Sequence, residues 1–483
     1  MDPAFLPAHR LAALIRTRKL GCLELLDHYL DRVARFNPAL NAICVLDADR
    51  ARKRAKASDR ALGKVGRRGP LHGVPMTVKE SFDIEGLPTT WGVAALKNHV
   101  VTTNALAVER LTGAGAVIFG KTNVPTLLAD WQTFNPIYGT TNNPWDVSRG
   151  PGGSSGGSAA ALAAGLTGLE LGSDIGASIR NPAHYCGVFG HKPTFGLCSP
   201  DGQLLPPFVT HNDIAVIGPL ARSARDLEIA LGILAGPNET DGIAWKVKLP
   251  PAPKKTWRQW RIAVMPTAAT AEVDEAVQAR IEAVAGFLAG KGAKVSRSAR
   301  PEIDLADAHE VYIKLLRAAT SRSQTDAMFG RNLETARALP AKQADYAAWM
   351  VRANTMYHRE WLALDERRHR MRLAWAAFFR EWDVLLCPAA ASTAFPHNQK
   401  GERWQRMVTV NGKPQPSTTQ MFWAGYSGMA YLPSTVAIAG RAPDGLPVGV
   451  QIIGPQYGDL TCIALAALLE REFEGFVAPP GYN

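Results

Sequence analysis

Three features of this 483-residue sequence predict an α/β fold. Short apolar, β-branched runs alternate with stretches whose apolar residues recur at helical spacing, and glycine turns separate the two. The third is composition: 46% hydrophobic and 20% charged residues is the balance of a globular chain that can bury a large core.

The elements follow in order. Residues 8–35 space Leu11, Leu14 and Ile15, then Leu23, Leu25, Leu26, Tyr29, Leu30 and Val33, as two amphipathic helices broken at Gly21. LHGVPMTVKESFD (71–83) reads as a strand, and AVERLTGAGAVIFGKTNVP as helix, turn and strand. SAAALAAGL (158–166) is a helix of small residues, which permits close approach to a sheet, and the following segment to 194 alternates short apolar runs with turns. The Pro- and Lys-rich residues 240–259 read as a surface connection. RIAVMP then reopens the α/β rhythm, with AEVDEAVQARIEAVAGFLAGKGAKV as helix, turn and strand. Residues 305–382 are mostly helical, and their large side chains (Tyr312, Met328, Phe329, Tyr346, Trp349, Met350, Met356, Trp361) are expected mainly in the core. DVLLCPAAAS supplies another strand, LPSTVAIAG and LPVGVQIIG flank the hairpin signal APDG, and a helix closes the chain.

The net charge of +11 raises the question of nucleic acid. Residues 52–68 carry eight Lys or Arg against Asp59 alone. No aromatic side chain interleaves with them, as a stacking platform for single strands would require, so a solvated helix face is expected and no nucleic-acid partner. The N-terminal segment lacks a basic region followed by an apolar one, and no apolar run approaches 18 residues, which predicts a cytoplasmic protein without a membrane partner. Six widely separated cysteines with no C-x-x-C pair predict reduced, mostly buried thiols and no metal site.

GPGGSSGGSA (150–159) is the stretch that carries chemistry. A flexible linker is disfavoured, because both flanks are apolar α/β sequence. A phosphate cradle lacks G-x-x-x-x-G-K-[ST] and a preceding strand. Gly152-Gly153-Ser154-Ser155-Gly156 formally matches the G-x-S-x-G nucleophile elbow, but polar NNPWDVSRGPGG precedes it and no later histidine has a distinctive setting. A second serine loop, SDIGASIRNP (173–182), together with Lys79 at the end of VPMTVK, offers nucleophile, relay and amine base without any histidine. Serine needs a base, and lysine acts as one only when burial keeps it neutral.

Four segments resemble the amidase signature family of serine hydrolases: GVPMTVKESFD (73–83), GTTNNPWDVSRGPGGSSGGSAAALAAG (139–165), LGSDIGASIRNPAHYCGVFGHKPTFG (171–196) and GLPVGVQIIGP (445–455). The resemblance implies a three-layer α/β/α fold with a large mixed central sheet covered by helices on both faces. It implies one domain over 1–483, a signature core at about 71–235 and 420–475, and a variable substrate-pocket region at about 240–415. It also implies a Ser-cisSer-Lys triad of Ser178, Ser154 and Lys79, the two serines 24 residues apart. Ser178 would attack the carbonyl carbon while Ser154 passes its proton to Lys79 and then protonates the leaving amine. Backbone N–H groups of Ile175, Gly176, Ala177 and Ser178 match the family's oxyanion loop. Ser155 and Ser173 are expected to hold the cis Gly153–Ser154 peptide by hydrogen bonds, and Asp174 with Arg180 to support the loop. Two positions depart from the commoner text. Ala177 replaces a glycine and is expected in a conformation alanine tolerates, and Ser173 stands where threonine is usual.

The resemblance implies amide cleavage broadly, with esters and carbamates in some members; the expected substrate is a small, uncharged, fairly apolar acyl or aryl amide, with linear oligoamides and urethanes in the same range. Water is the second reactant, no cofactor is implied, and a homodimer is the assembly to test. Leu128, Ala129 and Trp131 match positions beside the family's active site. The alternative is the glutaminase subunit of a tRNA-dependent amidotransferase.

Overall fold

The computed structural model describes residues 2–62 and 68–482. Its centre is a mixed sheet of 11 strands: β1 (Ile43–Leu46), β2 (Pro75–Lys79), β3 (Val117–Thr122), β4 (Glu170–Asp174), β5 (Phe189–Lys192), β6 (Val216–Ala221), β7 (Arg261–Val264), β8 (Lys294–Ser296), β9 (Val384–Pro388), β10 (Ser434–Arg441) and β11 (Pro447–Ile453). They lie in the order β1-β3-β2-β4-β6-β5-β10-β11-β9-β7-β8. Parallel pairs β3-β2-β4 and β9-β7-β8 flank an antiparallel middle. Helices cover both faces in a three-layer α/β/α arrangement. The inner strands are buried along both faces, which is why they read in sequence as short apolar runs rather than as alternation.

The helices predicted at either side of Gly21 are Ala8–Arg16 and Cys22–Leu40. The APDG signal is a tight turn closed by Ala442 N–H to the Leu446 carbonyl at 2.9 Å. The basic stretch lies partly on helix Ala48–Ala61, which buries Ala51 and Ala55 while Lys53, Lys56 and Arg60 face solvent. Lys64 and Arg67 lie outside the described residues. Among the described residues no helix is long and apolar enough to cross a membrane.

One expectation about the core fails. Helix Asp326–Ala338 buries none of its residues, and Met328 and Phe329 are each 44% exposed. This helix packs on helix Tyr346–Asn354, and Met328 lies on the wall of a cavity.

The sheet topology fixes the site. β2 and β4 run parallel and adjacent, with Thr77 opposite Glu170 and Val78 opposite Leu171. Lys79 and the Ser173-Asp174 pair therefore emerge side by side at the carboxyl ends of neighbouring strands, where α/β sheets place their sites.

Candidate active site

The glycine-serine loop arrives at these strand ends from the side. Gly152 has φ +87°, a left-handed conformation that glycine adopts without steric cost. At Gly153 any side chain would collide with the backbone of Asp130 and Gln132. Thr133 donates to the Gly152 carbonyl at 2.8 Å, and Gly153 N–H donates to Asn181 Oδ1 at 3.2 Å. The Gly153–Ser154 peptide is cis. Ser155 then leads into helix Gly156–Ala163, whose small residues are all buried.

Lys79 Nζ lies 2.7 Å from Ser154 Oγ, 3.0 Å from Ser173 Oγ and 3.4 Å from the Ser173 carbonyl. Burial pushes the Lys79 ammonium down to about 7, with the nearby Asp174 carboxylate opposing the shift. Three partners suit a neutral amine: two N–H groups donate to Ser173, and the lone pair accepts the Ser154 hydroxyl proton. Gln203 donates to Ser173 Oγ at 3.3 Å. Ser155 Oγ contacts the Ser173 carbonyl at 3.4 Å. Ser155 and Ser173 thus brace the lysine's surroundings; Thr133 and Asn181 hold the cis segment, and directly after it Ser155 N–H donates to the Ser178 carbonyl at 3.0 Å.

Ser178 follows β4 on a loop gripped from several sides. Asp174 accepts from the N–H groups of Ala177 at 2.9 Å and Ile179 at 3.0 Å. Arg180 forms a buried ion pair with Asp174 at 2.8 Å. Burial alone would raise the Asp174 carboxyl, yet Arg180 and the N–H bonds hold it below its ordinary value. The remaining guanidinium nitrogen reaches the Ala424 carbonyl, Ser427 Oγ and Gln451 Oε1 at 2.7–3.0 Å, tying the loop to β11.

Two further bonds orient the peptide planes. Tyr312 Oη donates to the Ile175 carbonyl at 3.1 Å, and Trp131 Nε1 donates to the Gly176 carbonyl at 2.7 Å. A planar trans peptide sends its N–H opposite to its carbonyl. With the Ile175 carbonyl held by Tyr312, the Gly176 N–H is turned the other way. The N–H groups of Ile175, Gly176 and Ser178 have no intramolecular acceptor among the described residues, and these three residues line a cavity of about 680 Å³.

Ala177 departs from expectation. Its N–H is engaged by Asp174 and it does not line the cavity, so it is not a free donor. Its φ is +68°, a left-handed conformation costing alanine about 1 kcal/mol. The grip of Asp174 on both sides of the residue keeps it there.

The cavity wall joins Ser154, Ser173, Asp174 and Ser178 to Leu128, Ala129 and Trp131. Lys79 sits behind Ser154, fully buried. Ser178 Oγ makes no hydrogen bond among the described residues and stands open to the cavity. Among the described residues no histidine is on the wall. His184 and His191 are buried against Ser392 and Asp459 instead. Sequence reasoning missed Thr133, Asn181, Gln203 and Tyr312 as parts of this arrangement, because each acts through a contact distant in sequence.

The Amidase family model matches residues 24–463. The chain is 32% identical over 473 residues to an indoleacetamide hydrolase of Bradyrhizobium diazoefficiens, covering 95% of this chain and 85% of the relative. It is 33% identical over 488 residues to a glutamyl-tRNA(Gln) amidotransferase subunit of Acidothermus cellulolyticus, covering 96% and 94%. In fold it matches a bacterial aryl acylamidase of the amidase signature enzymes with a TM-score of 0.82 at 24% identity, covering 99% of each chain. Fold and matches together define an enzyme that hydrolyses amide C–N bonds. The chain belongs to the amidase signature family.

Proposed function

We propose that the chain hydrolyses small amides with a largely apolar body through an acyl-enzyme on Ser178. The observation that carries this reading is the buried 2.7 Å contact of Lys79 Nζ with Ser154 Oγ, beside a cavity that Ser178 also lines. Ser178 Oγ attacks the carbonyl carbon, Ser154 takes its proton, and Ser154's own proton passes to neutral Lys79. The oxyanion develops against the N–H groups of Ile175, Gly176 and Ser178, fixed before reaction by Tyr312, Trp131 and Asp174. Ser154 then protonates the leaving nitrogen, without which an amine departs poorly, and Lys79 returns its proton to Ser154. Water repeats the relay in reverse to free the acid.

The apolar body follows from Leu128, Trp131, Met350 and Met421 on the cavity wall. Esters and carbamates carry the same reacting carbonyl and belong to the same range. Similarity to one component of an amidotransferase supports a second reading, a glutaminase that works inside a complex. The test is the purified single chain on matched aryl amides, esters, carbamates and glutamine. Hydrolysis of the aryl amides without a partner is the expected result. Glutamine cleavage alone, and only with added partners, would favour the second reading.

A further inference from the structure

Five arginines are buried among the described residues: Arg32, Arg180, Arg222, Arg317 and Arg368. Four are held by carboxylates or by backbone carbonyls, Arg222 through its two terminal nitrogens while its Nε lacks a partner among the described residues. Arg180 pairs with Asp174, Arg368 with Asp213 and Asp365, and Arg32 with Asp2 and three carbonyls. Arg222 binds the carbonyls of Leu162, Thr167 and Leu6.

Arg317 is the exception. It projects from helix Leu305–Thr320, its Nε has no hydrogen-bond partner, and no carboxylate pairs with it among the described residues. Its guanidinium stands over the Tyr346 ring, 5.6 Å from the centroid, and the residue lines the cavity. Beside it on the same wall is Arg403, which donates to the Ala129 carbonyl and reaches Tyr346 Oη at 3.5 Å, and which also lacks an ion pair among the described residues. Burial, with Arg403 adding its repulsion, lowers the Arg317 guanidinium to about 10. The acids on the wall do not answer these charges. Asp130 is taken by Arg406 at 2.6 Å, Asp174 by Arg180, and Glu402 is exposed.

A buried charge without a partner is costly, and one facing a cavity is a site for the missing counter-ion. We propose that the substrate is an amide bearing a carboxylate, which Arg317 and Arg403 hold across the cavity from Ser178. This rests on the amide-hydrolase reading above and replaces the uncharged substrate expected from sequence with a singly anionic one. Tyr312, which holds the oxyanion loop, precedes Arg317 by five positions on the same helix, a rise of about 8 Å.

The test compares kcat/KM for two matched pairs on the purified chain. Hexanoyl p-nitroanilide against the mono-p-nitroanilide of adipic acid puts the charge on the acyl side, and hexanoyl anilide against hexanoyl p-aminobenzoate puts it on the amine side. In at least one pair the acid should be preferred by about 10- to 100-fold. Arg317→Gln should bring that ratio near one, and Arg317→Lys should keep part of it. Preference for the neutral member in both pairs, or an unchanged ratio in Arg317→Gln, overturns the proposal. If that variant does not fold, Ser178→Ala, which cannot cleave the amide, decides: hexanoate should raise its Tm where hexanamide does not, and equal shifts contradict the proposal. If no amide is cleaved while a fluorophosphonate still labels Ser178, the anionic substrate is wrong and the serine hydrolase stands. Without cleavage or label, both fall.

Discussion

Lys79 Nζ and Ser154 Oγ stand 2.7 Å apart with neither side chain reaching bulk water. Among the described residues the lysine has no carboxylate in ion-pair contact, so burial governs its protonation. That single relationship makes a base of a residue that elsewhere is a cation.

The pH dependence follows. Lys79 is pushed down to about 7, and only its neutral form accepts a proton. kcat/KM should fall about tenfold per pH unit below that value and level off above it. Lys79→Met should lose two to four orders of magnitude of amide turnover. A pH–rate profile flat from 5 to 8 would contradict the base assignment.

Stability should carry the same signature with a definite sign. The folded lysine releases its proton at about 7 and the unfolded one near 10.5, so between these values the unfolded chain binds more protons. Wild-type stability thus gains about 1 kcal/mol per pH unit from this group as pH rises from 7 to 10. Lys79→Met has no such term, and its advantage over the wild type should shrink by that slope. Lys192, also pushed down to about 7, and Glu170, raised to about 8, are in both proteins and cancel. Denaturant melts of the two proteins at three pH values measure the difference.

Asp174 and Arg180 form a buried pair whose partners fix the Ser178 loop. Arg180→Met leaves a buried carboxylate without its cation and should cost about 3–5 kcal/mol. The denaturation midpoint reads this directly. A loss under 1 kcal/mol would show that the pair does not hold the loop.

Tyr312→Phe removes one hydroxyl, the donor to the Ile175 carbonyl. If that bond presets the Gly176 N–H for the oxyanion, kcat should fall about tenfold with KM little changed. A rise in KM at constant kcat would make Tyr312 a substrate contact instead.

The legible parts of this molecule were local. A strand ending in Lys79, a glycine-rich turn before Ser154 and a second loop at Ser178 are short patterns with chemical meaning, and their resemblance to a family carried the fold with them. The illegible parts act at long range. Tyr312 meets Ile175 across 137 residues of chain, and nothing on its helix marks it among other aromatic residues. Arg317 reads as an ordinary helix arginine until the packing shows that no acid faces it. Met328 and Phe329 look like core by residue type, yet their helix lies over a cavity and leaves both exposed. Ala177 was expected in an easy conformation, but the Asp174 grip imposes a left-handed one.

The central claim is that Ser178 attacks and Ser154 relays, and the adduct of a fluorophosphonate tests it most directly. Mass spectrometry of the labelled chain should place one phosphonyl group on Ser178, with Ser178→Ala unlabelled and Ser154→Ala labelled far more slowly. An adduct on Ser154 or Ser155, with Ser178 unmodified, would contradict it.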